Sequence, residues 1–243
     1  MLANMKAIVL TYDRNRIITD HMIACYERLW PDHPFVFRIP YQNKALNFKS
    51  ERREYIETCP QIRATVLTLL EGLDDDEWIY WSMDDKYPIA LDLEKINAVL
   101  AITRDKTFDH ISSILFCRAH KTLTGENLFP ENYHFHDIQM CKRRAYYQIW
   151  IHQFARVKVY RHLFANFPDQ LPAARSMDPI KDQMAVPLDH HLFVTKRTIA
   201  VFGESTWHGN LTENCLNSLL LNGFVIPEWY NGEPAPRNIY GVL

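Results

Sequence analysis

Trp78-Ile79-Tyr80-Trp81-Ser82-Met83 runs on without a charge and then stops at Asp84-Asp85-Lys86-Tyr87-Pro88. The run reads as a strand, and the acids stand at its carboxyl end, where open α/β sheets bind ligands. Upstream, Lys6-Ala7-Ile8-Val9-Leu10-Thr11 is a second apolar run, with the length and β-branched content of a strand buried on both faces. Tyr12-Asp13-Arg14-Asn15 follows as a polar turn. Thr19 to Trp30 then places Met22, Ile23, Tyr26 and Leu29 near one helical face, and Pro31 ends it. Phe35 to Ile39 is the next strand, closed by Pro40. This β-α-β opening predicts an α/β protein with a mostly parallel sheet and crossover helices.

Residues 41 to 50 read as a polar loop, and Ser50 to Glu54 as the start of a short helix. A longer helix after Pro60 carries Ile62, Val66, Leu69 and Leu70 on one face and ends at Gly72 and the acids Asp74 to Glu77. Leu91 to Arg104 reads as a helix with Asp92 as N-cap. His110 to Cys117 is a strand, and 119 to 134 is loop-rich. Between Gln148 and Arg161 a strand gives way to a helix running from Val157 to Phe167. The proline-punctuated stretch 168 to 190 reads as a loop with a short helix around Lys181 to Met184. Thr198 to Phe202 is a late strand, Leu211 to Leu221 a helix capped by Asn222-Gly223, and the tail from Pro227 is irregular.

The chain has 243 residues, 47% hydrophobic and 23% charged, which are globular values. A net charge of -2 without a long basic run excludes a nucleic-acid backbone binder. Cys25, Cys59, Cys117, Cys141 and Cys215 are odd in number and form no CxxC pair, which predicts reduced thiols. No segment has the apolar length of a signal peptide or a membrane span. The expectation is a cytoplasmic protein, with room for peripheral contact with a membrane surface.

Adjacent carboxylates repel each other, and a cation removes that penalty. Oxygen ligands suit Mg²⁺ or Mn²⁺, and such an ion would stabilise charge on a departing nucleotide. The same pair also reads as turn acids preceding the helix at Asp92.

The segment Trp78 to Ile89 resembles the strand and acidic DxD motif of GT-A glycosyltransferases, preceded as in those enzymes by a β-α-β start and a helix. The resemblance implies a GT-A-like fold over 1–243, with a nucleotide-sugar part over about 1–90 and an acceptor-side part over about 91–243. It gives Asp85 the metal role and Asp84 the supporting role. Met83 stands where a strict DxD would have its first acid. Lys86 follows at once and could neutralise the diphosphate directly, without a metal. Tyr12, Asp13 and Arg14 would hold the nucleotide base. Among Arg52, Arg53 and Arg63, Arg63 is favoured for the diphosphate. His208 would be a C-terminal metal ligand, with His190-His191 a rival pair whose side chains point opposite ways on a strand. Asp182, then Asp178, would be the general base, with Asp137 and Glu204 in reserve. Trp150, Tyr160, Trp207 and Trp229 are either sugar-stacking rings or core.

The implied reaction moves a hexose from a nucleotide-diphosphate sugar to a hydroxyl of a glycan or lipid-linked glycan, in surface polysaccharide or glycoconjugate synthesis. Two alternatives remain on the sequence. One is a metal-dependent phosphohydrolase or nucleotidyltransferase, and the other a non-catalytic sugar-nucleotide-binding module. An ATPase is disfavoured because no GxxxxGK[ST] loop occurs.

Overall fold

Strand β4 (Trp78–Met83) is buried along its whole length because both of its faces are covered. Tyr80 joins the core on one face, while Ile79, Trp81 and Met83 join the core on the other, following the two-residue period of a strand. The computed structural model describes residues 4–43, 50–117, 125–169, 174–230, 232–241 and 243. Ahead of β4 come β1 (Met5–Leu10), α1 (Arg16–Leu29), β2 (Phe35–Tyr41), β3 (Arg53–Glu57) and α2 (Ile62–Leu69). After it come β5 (Lys86–Leu91), α3 (Leu93–Ile102), β6 (Ile111–Leu115), β7 (Leu128–Phe135), β8 (Ile138–Arg143), β9 (Gln153–Arg156) and α4 (Val157–Ala165). The chain continues through α5 (Asp178–Gln183), β10 (His191–Thr195), β11 (Ala200–Glu204), β12 (Thr206–Trp207), β13 (Asn210–Leu211), α6 (Glu213–Leu221) and β14 (Ile239–Tyr240).

Nine strands form one sheet in the order β3-β2-β1-β4-β9-β6-β10-β8-β7. β1 to β4 pair in parallel, as do β6 and β10. Only β9 and β8 run against the other strands. The expected α/β class with a mostly parallel, helix-flanked sheet is what is found. The sheet passes without a break from strands before residue 90 to strands after it. A smaller antiparallel sheet, β14-β11-β5, takes the chain as it leaves β4.

On one face α1 and α3 cover the sheet with Ile18, Met22, Tyr26, Ile96 and Val99. On the other, α2 and α4 cover it with Val66, Leu69, Tyr160 and Phe164, and Trp81 stacks on Tyr160 with ring centroids 3.9 Å apart. The end of β4 is pinned by a buried polar chain. Nε2 of His152 lies 3.1 Å from the backbone nitrogen of Met83 and 3.0 Å from its carbonyl, its Nδ1 lies 2.6 Å from the Tyr26 hydroxyl, and that hydroxyl in turn meets the Tyr80 hydroxyl at 2.6 Å.

Several expectations are corrected. Ser50 to Glu54 does not start a helix: β3 forms there, pairing Phe37 with Arg53 and Ile39 with Tyr55 on the open edge of β2. The loop expected over 119–134 contains most of β7, its part up to 124 lying outside the described residues. β5, β8 and β10 are additional strands, and the late strand is shifted to Ala200–Glu204. The tail is tied down, since β14 pairs with β11. None of the five cysteines is in a disulfide, and four of them are buried.

His21, His33 and His190 are buried and pushed down to about 4 by desolvation, and His152 to about 3. The unfolded chain takes up these protons near pH 6.5 while the folded chain does not. Their contribution to stability is therefore complete above pH 6.5 and is lost as pH falls toward 4. Urea midpoints are expected to drop steadily from pH 7.5 to 4.5, and a flat profile would contradict the neutral assignment.

Candidate functional site

The acid pair stands where the chain leaves the large sheet for the small one. Asp84 N–H donates to the Leu10 carbonyl at 3.2 Å, extending the β1–β4 ladder by one bond. Beyond it, Ser205 N–H donates to the Asp85 carbonyl at 2.7 Å and the Ser205 hydroxyl to the Asp84 carbonyl at 3.3 Å. The two carboxylates are thus held at the carboxyl edge of β1 and β4 by backbone bonds from both sides.

Asp84 is only 6% exposed. Its Oδ2 lies 2.7 Å from Thr11 Oγ1, which lies 2.7 Å from Thr19 Oγ1, which donates to the Asn15 carbonyl at 3.1 Å. Thr11 is the donor to the Asp84 carboxylate. Burial, then the neighbouring Asp85 carboxylate, pushes the Asp84 carboxyl up to about 7 against the pull of Thr11, Asn15 and Lys86.

Asp85 Oδ2 accepts from Lys86 Nζ at 3.0 Å, while its Oδ1 is buried with no hydrogen-bond partner. Lys86 Nζ also donates to Glu204 Oε1 at 2.9 Å and lies 5.3 Å from the centre of the Tyr240 ring. Glu204 Oε2 accepts from Asn238 Nδ2 at 2.9 Å and from the Tyr240 hydroxyl. Burial lowers the ammonium's pKa, but Asp85 and Glu204 outweigh it and leave it raised. Burial raises Glu204 despite Lys86. Two carboxylates, Asp85 and Glu204, thus hold one ammonium, and Asp84 adjoins Asp85.

That surplus, an oxygen-only donor set and the unpartnered Asp85 Oδ1 fit a hard divalent cation of the Mg²⁺ or Mn²⁺ kind. Such ions are commonly held by one or two carboxylates with ligand phosphates completing the shell. Among the described residues no three His, Cys, Asp or Glu side chains form a metal-holding group. His208 therefore does not complete a protein cage with the acids. It stands in the β12–β13 turn with φ 51°, its ring edge-on to Trp207.

Of the other expected residues, Tyr12 is 49% exposed and lies close enough to Asp84 that the carboxylate, after burial, raises its pKa. The Asp13 carboxylate accepts from the backbone N–H of Gln42 and Asn43, tethering the β1 loop to the end of β2. Arg14 lies 4.8 Å over the Trp229 ring, and Trp229 Nε1 donates to the Arg14 carbonyl at 3.1 Å. Arg63 is corrected: its fork caps α4 through the Phe164 and Ala165 carbonyls and pairs with Asp169, so it is not free for a diphosphate. Lys86 is likewise held by its two carboxylates. Asp178 and Asp182 both accept from the buried Lys181, and Asp178 also from Trp150 Nε1 at 2.7 Å. The N-cap of α5 is Met177 rather than Asp178. Glu204, a reserve base, is committed to Lys86, while Asp137 sits exposed in the β7–β8 turn. Sequence reasoning missed Thr11, Asn238 and Tyr240. A cavity of ≈ 710 Å³ beside the end of α3, lined by Asn97, Leu100 and Arg104, includes no residue of the acid turn.

No protein-family profile and no curated protein matches the chain. Among solved structures it is similar to the 2-C-methyl-D-erythritol 4-phosphate cytidylyltransferase IspD of Francisella tularensis, at 12% identity and TM-score 0.40, covering 80% of this chain and 91% of that one. It is also similar to 4-diphosphocytidyl-2C-methyl-D-erythritol synthase of Anaerococcus prevotii, at 8% identity and TM-score 0.46, covering 90% and 96%. A third is the galactosyltransferase LgtC in complex with donor and acceptor sugar analogues, at 11% identity and TM-score 0.41, covering 75% and 67%.

Two outcomes test the electrostatics of the turn. Because its folded pKa is raised, Asp84 opposes folding most above pH 7 and not at all below about pH 4. Asp84→Asn removes the buried charge at nearly unchanged volume. It is expected to raise Tm at pH 8, with the gain shrinking as pH falls toward 4; an equal Tm at pH 8 contradicts the assignment. Lys86→Met leaves Glu204 buried without its cation and is expected to lower stability by about 3–5 kcal/mol in urea denaturation.

Proposed function

We propose that the chain is a nucleotide-sugar-dependent glycosyltransferase that moves a hexose to a hydroxyl of a glycan or lipid-linked glycan. The observation that carries this reading is the unpartnered, buried Oδ1 of Asp85 at the carboxyl edge of the sheet. It is an acceptor facing no donor, beside a carboxyl that burial keeps close to neutral. In this reading Asp85 holds the cation that carries the donor's diphosphate, and that cation supplies Lewis-acid stabilisation of the leaving group. Lys86 keeps Asp85 oriented by occupying Oδ2 alone. Asp84 lends the second carboxylate. Tyr12, half exposed beside the acids, offers a ring face to the nucleotide base.

Transfer forms a bond from the acceptor oxygen to the anomeric carbon and breaks the bond from that carbon to the diphosphate. The acceptor proton needs a carboxylate. Asp182 is assigned this role, with Asp178 beside it and Lys181 offsetting the charge of both. In support, Trp81 Nε1 of β4 donates to the Ile149 carbonyl in the loop preceding β9, and the next residue, Trp150, donates to Asp178.

The test is a thermal-shift panel of nucleotide sugars with and without Mn²⁺, followed by transfer assays with the donor it selects. The expected result is a Mn²⁺-dependent shift for one class of donor, and sugar transfer that Asp85→Ala reduces by roughly 10³-fold or more while the protein stays folded at the assay temperature. Undiminished transfer by Asp85→Ala would remove the site. Donor cleavage that no acceptor accelerates would replace transfer by hydrolysis.

A further inference from the structure

Of the eight large apolar side chains exposed among the described residues, four lie within one seven-residue span: Leu220, Leu221, Val225 and Ile226. The span closes α6. Asn222 and Gly223, with φ 74° at the glycine, turn the chain, and Phe224 N–H returns to the Leu219 carbonyl at 2.9 Å. Phe224 turns inward against His21, which leaves the residues on either side of the turn outside. Leu221 is 85% exposed and Val225 70%. Monomeric proteins rarely cluster aliphatic side chains this way without a partner.

A second feature meets the first at Leu221. A groove of ≈ 250 Å³ runs along α6, lined by Arg28, Ser218, Leu221, Asn222 and, at its other end, Glu213 and Arg237. Arg28 is exposed and donates through one nitrogen to Asn222 Oδ1, so its guanidinium is held beside the apolar knob with other N–H groups free for an anion. Glu213 is at the start of α6. Arg237 enters there too, since the N–H of its neighbour Asn238 donates to Asn214 Oδ1. The acid and the second guanidinium thus offset each other away from the knob. Beyond the knob the loop to β14 carries Glu228 and Glu233, and the half-buried Trp229 has Arg14 against its ring.

We propose that this face docks on an anionic phospholipid bilayer, the aliphatic knob entering the acyl boundary and Arg28 taking a lipid phosphate in the groove beside it. Exposed aliphatics, a cation at their rim and a neighbouring tryptophan are the composition of an interfacial anchor. A protein partner would call for a surface with matched polar groups. The Arg14–Trp229 contact joins this face to the Tyr12 loop. The consequence that the acceptor is lipid-borne rests on the transfer reading above; the docking itself does not.

The test is sedimentation of the full chain with vesicles of phosphatidylcholine, alone or mixed with phosphatidylglycerol, without donor or metal. The wild type is expected to sediment with the mixed vesicles in a salt-sensitive manner. Leu221→Glu with Val225→Glu is expected to reduce binding roughly tenfold or more. Arg28→Glu is expected to abolish the preference for phosphatidylglycerol. Both variants should keep the wild-type Tm. The proposal is overturned if the wild type stays in the supernatant, if the double variant binds undiminished, or if light scattering shows a dimer that the double variant dissociates. Sedimentation does not read the acid turn, so failure of this surface and failure of the transfer reading are separate results.

Discussion

One ammonium, Lys86 Nζ, joins three stretches of chain that are otherwise far apart in sequence. It bonds the turn after β4 through Asp85 and the end of β11 through Glu204, and Glu204 in turn binds Asn238 and Tyr240 at β14. A buried ammonium loses several kcal/mol of hydration, and a single carboxylate rarely offsets that. Two do so here, which raises the pKa of Lys86 despite its burial. The arrangement also decides the chemistry of the turn: by taking Asp85 Oδ2, Lys86 leaves Oδ1 as the oxygen without a partner.

The turn can be held this firmly because β4 is fixed before it. β4 lies between β1 and β9, with Tyr80 stacked on Phe35 at 4.2 Å on one face and Trp81 on Tyr160 on the other. His152 Nε2 then meets the backbone of Met83, the last residue of the strand. What leaves β4 is therefore aimed by the core, and the acids inherit a rigid support rather than a loop's freedom.

The central elements were legible in the sequence because burial on both faces writes an uninterrupted apolar run, as in Ala7 to Leu10 and Trp78 to Met83. Three of the missed strands, β3, β5 and β7, lie at edges. β5 contains Pro88, which fits because β5 is the edge of the small sheet and the register shifts opposite it, between Val201 and Phe202. β7 contains Pro130 and an exposed middle, and it too is an edge strand with a shifted register. β3 reads Arg-Glu-Tyr-Ile-Glu, and only its position beside β2 makes it a strand. Within the site, Asp84 and Asp85 were legible as acids at a strand end. Their partners were not: Thr11 is 73 residues away from Asp84, and Glu204 is 118 from Lys86. Arg63 shows the converse. The resemblance favoured it for a diphosphate, but the groups that claim its fork, at the end of α4, come some hundred residues later.

The alternative reading of the acids as turn formers can be weighed against aspartates that do this work in the same molecule. Asp92 caps α3 by accepting from Lys95 N–H, Asp105 caps a short turn through Thr107 N–H, and Asp74 accepts from Asp76 N–H. Each gives its carboxylate to a backbone N–H two or three residues on, the signature of a cap or Asx turn. Asp84 and Asp85 give theirs to Thr11 Oγ1 and Lys86 Nζ, and the backbone of their turn is held by other means, through Leu10 and Ser205. The carboxylates are thus not what makes the turn. Asp84 stands in a dry position beside Asp85, and burial, then that carboxylate, displaces its pKa upward, so that at neutral pH and above it raises the free energy of the unliganded fold. Asp85 instead contributes to the fold by holding the Lys86 ammonium. The charge at Asp84 is therefore not what the turn requires, since its backbone is held through Leu10 and Ser205.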